Sequence, residues 1–324
     1  MIVGAKISRI EYYLPETVLS NADLVVLHPE WNAQKVERKV GIRNRHIAAP
    51  EETALDMAVK AALKLFKVVE PCIIDFVLFC TQSPEYLLPT SACIAQERLG
   101  LRRDIGALDF NLGCSGYIYG LAMAKSMIVS GMVNNVLLLT GETYSKFITV
   151  SDISNRSIFG DAATATLITG SDNDHIGEFV LGTDGRGAED LIVKNIGAKN
   201  SFSCLDGTKP ELYMNGPEIF NFTIETIPPL VDAVCIKNSV SKDNIDYIVL
   251  HQANKYIIEF LINTIGLDIK KCHIDMLEYG NTVSNTIPIA LKDSWDKGFI
   301  KTGDLVLLAG FGVGFSWGST IIRV

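Results

Sequence analysis

Cys114 stands in the stretch FNLGCSGYIYG (Phe110–Gly120), after one apolar run and before a long one. Such a cysteine is either a small core hydrophobe or a nucleophile at the start of a buried helix. The segment behind it, SGYIYGLAMAKSMIV, is apolar on almost all faces, with Lys125 its only charge. A helix of that kind is buried. A sulfur at its N-terminus meets unpaired backbone N–H groups and the positive end of the helix dipole, and both favour thiolate. Gly113 and Gly116 let chain or substrate come close. His251 in HQAN and Asn281 in YGNT also follow apolar runs. Alone, each has a bland reading, a structural histidine and a turn asparagine. Together with Cys114 they make a set for nucleophilic catalysis. A papain-like protease uses the same three types, but its CGSCW context is absent. Cys72, Cys80, Cys93, Cys204, Cys235 and Cys272 read as core hydrophobes.

Strand-like and helical runs alternate along the chain and would position these residues. Ile73–Cys80 reads as a buried strand, Thr90–Leu99 as a helix and Ala107–Asn111 as a strand. Cys114–Ser130 reads as a helix and Asn135–Thr140 as another buried strand. The same order recurs roughly 170 residues later. IDFVLFCTQS resembles IDYIVLHQAN, LDFNLGCSG resembles IDMLEYGNT, and NVLLLTGE resembles DLVLLAGFG. This predicts two duplicated halves, residues 1–170 with the cysteine and 171–324 with the histidine and asparagine. Their boundary falls in Ser171–Lys209. His251 then follows a strand at Ile245–Leu250, and Asn281 one at His273–Leu277. Functional residues of parallel α/β sheets gather at the carboxyl ends of strands. Cys114 and Asn281 occupy equivalent strand ends, so a two-fold arrangement would bring the three groups together.

Composition narrows the classes further. The chain has 324 residues, 48% hydrophobic and 20% charged, as expected of an α/β protein with a large core. Its net charge of -8 argues against nonspecific nucleic-acid binding. The five histidines form no HExxH-like pair, so no metal site is expected. GFGVGFSWG and GTDGRG lack the context of a dinucleotide site. Seven scattered cysteines without CxxC spacing argue against a disulfide framework. No apolar run reaches the roughly 18 residues of a membrane span. MIVGAKISRIEYYLP reads as a first strand rather than a signal peptide, and a cytoplasmic location is expected.

NADL (Asn21–Leu24), GIRNRHIAAPEET (Gly41–Thr53), GCSG (Gly113–Gly116), FGD (Phe159–Asp161), HQAN (His251–Asn254), YGNT (Tyr279–Thr282) and GFSWGS (Gly314–Ser319) follow one another in this order. Through them the chain resembles the β-ketoacyl-acyl-carrier-protein synthase III branch of the thiolase superfamily over essentially its whole length. The resemblance implies an α/β thiolase fold, with two βαβαβαβαβ halves in five αβαβα layers, and a homodimer. It implies no metal or redox cofactor. The implied substrates are an acyl thioester of coenzyme A or acyl carrier protein and a malonyl-acyl carrier protein. Cys114 would accept the acyl group. His251 and Asn281 would polarise the malonyl thioester carbonyl. The backbone N–H groups of Cys114 and Gly314 would form the oxyanion hole. Substrate contacts would fall on Asn254, Gly216, Leu88, Phe159, Phe220, Lys39 and Arg156. Decarboxylating a malonyl thioester leaves an enolate, and two aimed donors stabilise it. An amide is no base, so Asn281 suits donation. The competing reading is an acyltransferase of the same fold that forms an ester or amide; such relatives often carry an acid in place of the asparagine. A non-catalytic partner subunit would typically lack the cysteine.

The chain departs from its relatives at the substrate entrance. Lys35 and Lys39 stand where the family has a tryptophan and an arginine for the adenine end of coenzyme A, and Trp31 is displaced. Ile153 takes the place of a second arginine, with Arg156 three residues on. Coenzyme A is therefore expected to bind weakly. Lys35, Arg38, Lys39, Arg43 and Arg45 are either a solvated helix face or a seat for an acidic carrier protein. Leu88 replaces a bulky aromatic expected to reach the partner's acyl pocket, so a longer or branched acyl group would fit.

Overall fold

Strands buried on both faces read as unbroken apolar runs, and two such sets organise this chain. The structure is a computed structural model describing residues 4–198 and 209–324; Cys204 lies outside them. The first half runs β1 (Gly4–Tyr13), β2 (Thr17–Ser20), α1 (Asn21–Leu27), α2 (Ala33–Val40), β3 (Asn44–Ile47), α3 (Ala54–Leu65), β4 (Phe76–Cys80), α4 (Ser91–Arg98), β5 (Gly106–Phe110), α5 (Gly116–Val129), β6 (Asn135–Glu142), α6 (Ile153–Arg156) and β7 (Ala162–Ser171). The second runs β8 (Val180–Thr183), β9 (Leu191–Lys194), β10 (Glu211–Met214), α7 (Gly216–Lys237), β11 (Tyr247–Leu250), α8 (Lys255–Ile265), α9 (Thr286–Asp296), β12 (Leu305–Gly312) and β13 (Ser316–Arg323).

One sheet has the order β1-β7-β6-β4-β5 and the other β8-β13-β12-β11. At one end of each sheet the strands pair in parallel (β6, β4 and β5; β12 and β11), and at the other end they pair antiparallel (β6 with β7 and β7 with β1; β12 with β13 and β13 with β8). Side-chain alternation sorts the core into layers. Val77, Phe79, Leu137 and Leu139 face α3 and α4 on one outer side. Leu78 and Leu138 turn inward, where α5 and α9 lie between the sheets and meet Val249, Val306 and Leu308. Ile248, Leu250, Leu307 and Ala309 face α7 and α8 on the other outer side. The result is helix, sheet, helix, sheet, helix. By length and composition α7 could cross a membrane. Here Ile227, Leu230, Val231 and Val234 of α7 pack on the second sheet.

Three local expectations change. No strand forms at His273–Leu277; only a parallel bridge joins Cys272 to Ile248. The Gln252 side chain takes the bonding a neighbouring strand would offer, donating to His273 O (3.2 Å) and accepting from Asp275 N (3.3 Å). Leu277 O then accepts from Arg43 N and Asn44 N, so the chain has left the sheet. Cys72 and Cys93 are exposed rather than core residues. Cys72 lies in the turn Pro71–Ile73 before β4. In α4 the buried residues are Ser91, Ala92 and Ala95, so Cys93 points outward.

Candidate active site

Cys114 lies two residues before the first turn of α5, after β5, and Ser115 is the helix N-cap. The Ser115 hydroxyl bonds that of Ser316 at 2.7 Å, tying the turn to β13. Strand β12 passes directly against the cysteine. A methyl group at Gly312 would sit 2.9 Å from Cys114 Cβ and 3.0 Å from its Sγ. The neighbouring Phe311 ring stands edge-on to the His251 imidazole, 5.6 Å between centroids. Adjacent residues of one strand therefore touch the cysteine and the histidine.

The Cys114 thiol is pushed up to about 12, chiefly by burial and then by the Glu142 carboxylate. Two backbone N–H groups oppose this, its own and that of Val313. This corrects the expectation of a resting thiolate, since burial outweighs the helix terminus. The amides that reach the sulfur are those of Cys114 and Val313, because β12 ends at Gly312 and Val313 is the first residue past it. Gly314, one residue on, has φ +139°, and a Cβ there would lie 2.9 Å from Ser316 N. Its part is the turn into β13, which only glycine makes without strain.

His251 follows β11, and its N–H donates to Ala309 O of β12 (2.8 Å). Its Nδ1 lies 2.7 Å from Thr286 Oγ1. Burial drives the imidazole down to about 3, so the ring is neutral at working pH. Asn281 is held by a parallel bridge to Phe159: its N–H donates to Ile158 O (2.8 Å) and its carbonyl accepts from Gly160 N (3.0 Å). Its side-chain Oδ1 accepts from Val283 N at 2.9 Å. Its Nδ2 bonds His251 Nε2 at 3.5 Å. Val283 itself has φ +59°. A β-branched residue there is strained, a condition that clusters at functional sites.

Cys114, Tyr144, Phe159, Leu191, Leu212 and Val283 pack in one apolar cluster, to which the antiparallel pair β9 and β10 contributes Leu191 and Leu212. Two grooves lie beside it. One, of about 560 Å³, is lined by Trp31, Lys35, Lys39, Asn254 and Tyr256. The other, of about 600 Å³, is lined by Asn155, Leu212, Met214 and Gly216. Asn254 caps α8, accepting from Ile257 N at 2.9 Å. Phe220 stacks on Tyr256 with centroids 5.9 Å apart. Trp31 thus shares a groove with the two lysines. Arg156 lines neither groove and donates to Val150 O. Leu88 is 83% exposed on the loop after β4. The basic stretch divides. Arg45 is fully buried, bonded to Asn21 Oδ1 and Ser157 O. Arg43 pairs with Glu37 and Glu278. Lys35, Arg38 and Lys39 are exposed and form no ion pair among the described residues. No group of three His, Cys, Asp or Glu side chains among the described residues could hold a metal.

Thr286, Val313 and Glu142 were not singled out by residue type. Glu142 alone carried a signal, a carboxylate closing the apolar run NVLLLTGE. It is fully buried and raised to about 8 by desolvation.

This constellation has counterparts. The family described as 3-oxoacyl-[acyl-carrier-protein (ACP)] synthase III matches residues 108–185, and its C-terminal family matches residues 235–324. A β-ketoacyl-[acyl-carrier-protein] synthase III of Campylobacter concisus (strain 13826) is 36% identical, over 98% of this chain and 96% of the relative. The chain belongs to the 3-oxoacyl-acyl-carrier-protein synthase III family. The enzyme of that name from Clostridium acetobutylicum is 34% identical over 96% of both chains. A crystal structure of a 3-oxoacyl-(acyl-carrier-protein) synthase III superposes with a TM-score of 0.96 at 43% identity, covering 99% of this chain and 100% of the other. The thiolase fold and its five layers are those of the family. Synthases III are acyl-transferring condensing enzymes, and this chain has their architecture from end to end.

Proposed function

We propose that the chain makes a 3-oxoacyl thioester in two half-reactions. In the first, Cys114 Sγ attacks an acyl thioester, the carrier thiol leaves, and the N–H groups of Cys114 and Val313 hold the carbonyl oxygen. In the second, a malonyl-carrier thioester loses carbon dioxide. The electron pair of the broken C–C bond forms an enolate whose oxygen meets Asn281 Nδ2 and the His251 ring N–H. The enolate carbon attacks the acyl-cysteine carbonyl, a C–C bond forms, and the sulfur leaves. The carrying observation is the paired donor. Val283 N occupies Asn281 Oδ1, so the amide offers only N–H, and burial keeps His251 neutral beside it. With an amide at 281, no carboxylate base stands there to activate an alcohol or amine, which disfavours the ester- or amide-forming alternative.

Residues 1–170 and 171–324 act as the two halves, the first supplying the nucleophile and the second the donors. The chain works as a cytoplasmic homodimer. In support, β5 is an unpaired sheet edge, next to the exposed Leu87 and Leu88. The exposed Lys35, Arg38 and Lys39 suit an acidic acyl carrier protein, and the Trp31 face beside them suits an adenine. No resident cofactor is invoked. Mass spectrometry after mixing with acyl thioesters tests the first step. A mass gain on the Cys114 peptide is expected, lost in Cys114→Ala; a label elsewhere, or one that survives, refutes the assignment.

A further inference from the structure

We propose that Arg45 is a positioning residue whose buried guanidinium fixes, from behind, the chain segment on which Asn281 hangs. The inference rests on the decarboxylative reading above, in which the Asn281 amide meets the enolate. Burying a guanidinium with no carboxylate beside it is costly, so what its fork holds is informative. Arg45 is fully buried, and its Nε finds no acceptor among the described residues. Burial draws it down only to about 10, which leaves it charged at neutral pH. Its two Nη atoms reach three segments. Nη1 donates to Leu19 O of β2 at 3.2 Å, and Nη2 to Asn21 Oδ1 of α1 and to Ser157 O at 2.9 Å.

Ser157 opens the segment that carries Asn281. Ile158 O and Gly160 N take both backbone groups of Asn281, at 2.8 and 3.0 Å. The far end of that segment returns to β3, where Asp161 N donates to His46 O at 2.8 Å. Neighbouring residues of β3 thus grip the segment at both ends, Arg45 by its side chain and His46 by its carbonyl. The Arg45 stem lies directly beneath. A methyl at Gly160 would stand 3.2 Å from Arg45 Cβ and run into Tyr279 O. One at Gly280 would also stand 3.2 Å from Arg45 Cβ, and 2.8 Å from Ile158 O. One glycine on each side of the Phe159–Asn281 bridge leaves room for the stem. Cys114 does not share this support, since it sits at the start of α5 against β12. Loss of the fork should therefore disturb the second half-reaction and spare the first. A lysine keeps the charge but has no planar fork to hold Leu19 O, Asn21 and Ser157 O together.

Arg45→Lys is therefore the main test. It should slow carbon dioxide release from a malonyl-carrier thioester by at least about tenfold, while acylation of Cys114, read as a mass gain, stays within about twofold. In protein labelled with ¹⁵N-asparagine, the Asn281 side-chain amide signal, assigned by its loss in Asn281→Ala, should shift in Arg45→Lys. An equal fall in both half-reactions, unchanged decarboxylation, or an unmoved Asn281 signal overturns the proposal. If Arg45→Lys does not fold, Asn21→Ala decides. It removes one acceptor from the fork and should slow decarboxylation alone, by at least about threefold; equal or absent losses overturn the proposal. Failure of both variants to fold would make Arg45 a support of the whole fold and overturn it as well. A wild type that acylates Cys114 but never releases carbon dioxide from the malonyl-carrier sinks the decarboxylative reading, and the Asn281 signal in Arg45→Lys then still decides what Arg45 holds.

Discussion

Glu142 closes β6 and forms no ion pair among the described residues. Both carboxylate oxygens accept from Gln82 N at 3.1 Å, and the Ser83 and Ser284 hydroxyls donate at 3.1 and 3.3 Å. Burial outweighs these bonds and raises the group from 4.5 to about 8. The sign follows from linkage. Below pH 4.5 both folded and unfolded chains hold the proton, and full stability is present. Above it the unfolded chain releases the proton while the folded chain keeps it to about pH 8, so stability falls by up to about 1.4 kcal/mol per pH unit. His251 acts in the opposite sense. Lowered from 6.5 to about 3, it costs stability as pH falls below 6.5. Asp161, raised from 3.8 to about 6, adds a fall that ends near pH 6. Between pH 6.5 and 8 Glu142 is the main contributor, and the loss comes to about 2 kcal/mol of a typical 5–15. Urea unfolding of wild type and Glu142→Gln across that range is the assay. Wild type should lose stability and the variant should hold level; parallel curves would refute the reasoning. Because Glu142 also raises the Cys114 thiol, iodoacetamide should label Cys114 faster in the variant at pH 8.

His251→Ala and Asn281→Ala should each slow malonyl decarboxylation by about 10²–10³-fold and acylation of Cys114 far less; equal losses in carbon dioxide release and acyl-enzyme formation would contradict the donor pair. Gly312→Ala sets a methyl 3.0 Å from the sulfur, so acylation should nearly cease while stability falls by only about 1–3 kcal/mol; an active variant would show that β12 gives way there. Trp31→Ala should raise KM for acyl-coenzyme A and spare acyl-carrier primers. Charge reversal at Lys35 and Lys39 should raise KM for the carrier, an effect that fades with salt; indifference of both donors to both changes would remove the groove from the substrate path.

What could be read ahead of the structure followed from burial. Strands covered on both faces are continuous apolar runs, so β4, β6, β11 and β12 stood out, and their order exposed the duplication. Cys114, His251 and Asn281 stood out in the sequence because each follows such a run. The missing strand at His273–Leu277 did not, since IDML is as apolar as its counterpart and only the Gln252 side chain draws it off the sheet. The protonation state of Cys114 was misread because a helix terminus is visible in sequence, whereas Glu142, 28 positions away, is not visibly its neighbour. Trp31 was judged by its offset from Gly41; it precedes α2 and lines the same groove as Lys35 and Lys39 of that helix. Thr286 gave no signal, as a threonine before an apolar helix reads only as a start residue.

The two halves differ where the chemistry needs them to differ. In the first, β5 completes the sheet and ends at Phe110, and the turn behind it presents Cys114 at the start of α5. In the second, the matching segment holds the sheet only at Cys272. Freed from pairing, it crosses to the first half, where Phe159 and Gly160 take up Asn281. A full strand there would have fixed Asn281 by the register of the second sheet. Released, its backbone is set by the half that carries Cys114. His251 keeps the register of its own sheet through Ala309, and β12 continues from there to Phe311 against the imidazole and Gly312 against the sulfur. One unformed strand thus lets a duplicated fold place two unlike groups, the Cys114 thiol and the Asn281 amide, from equivalent positions of its halves.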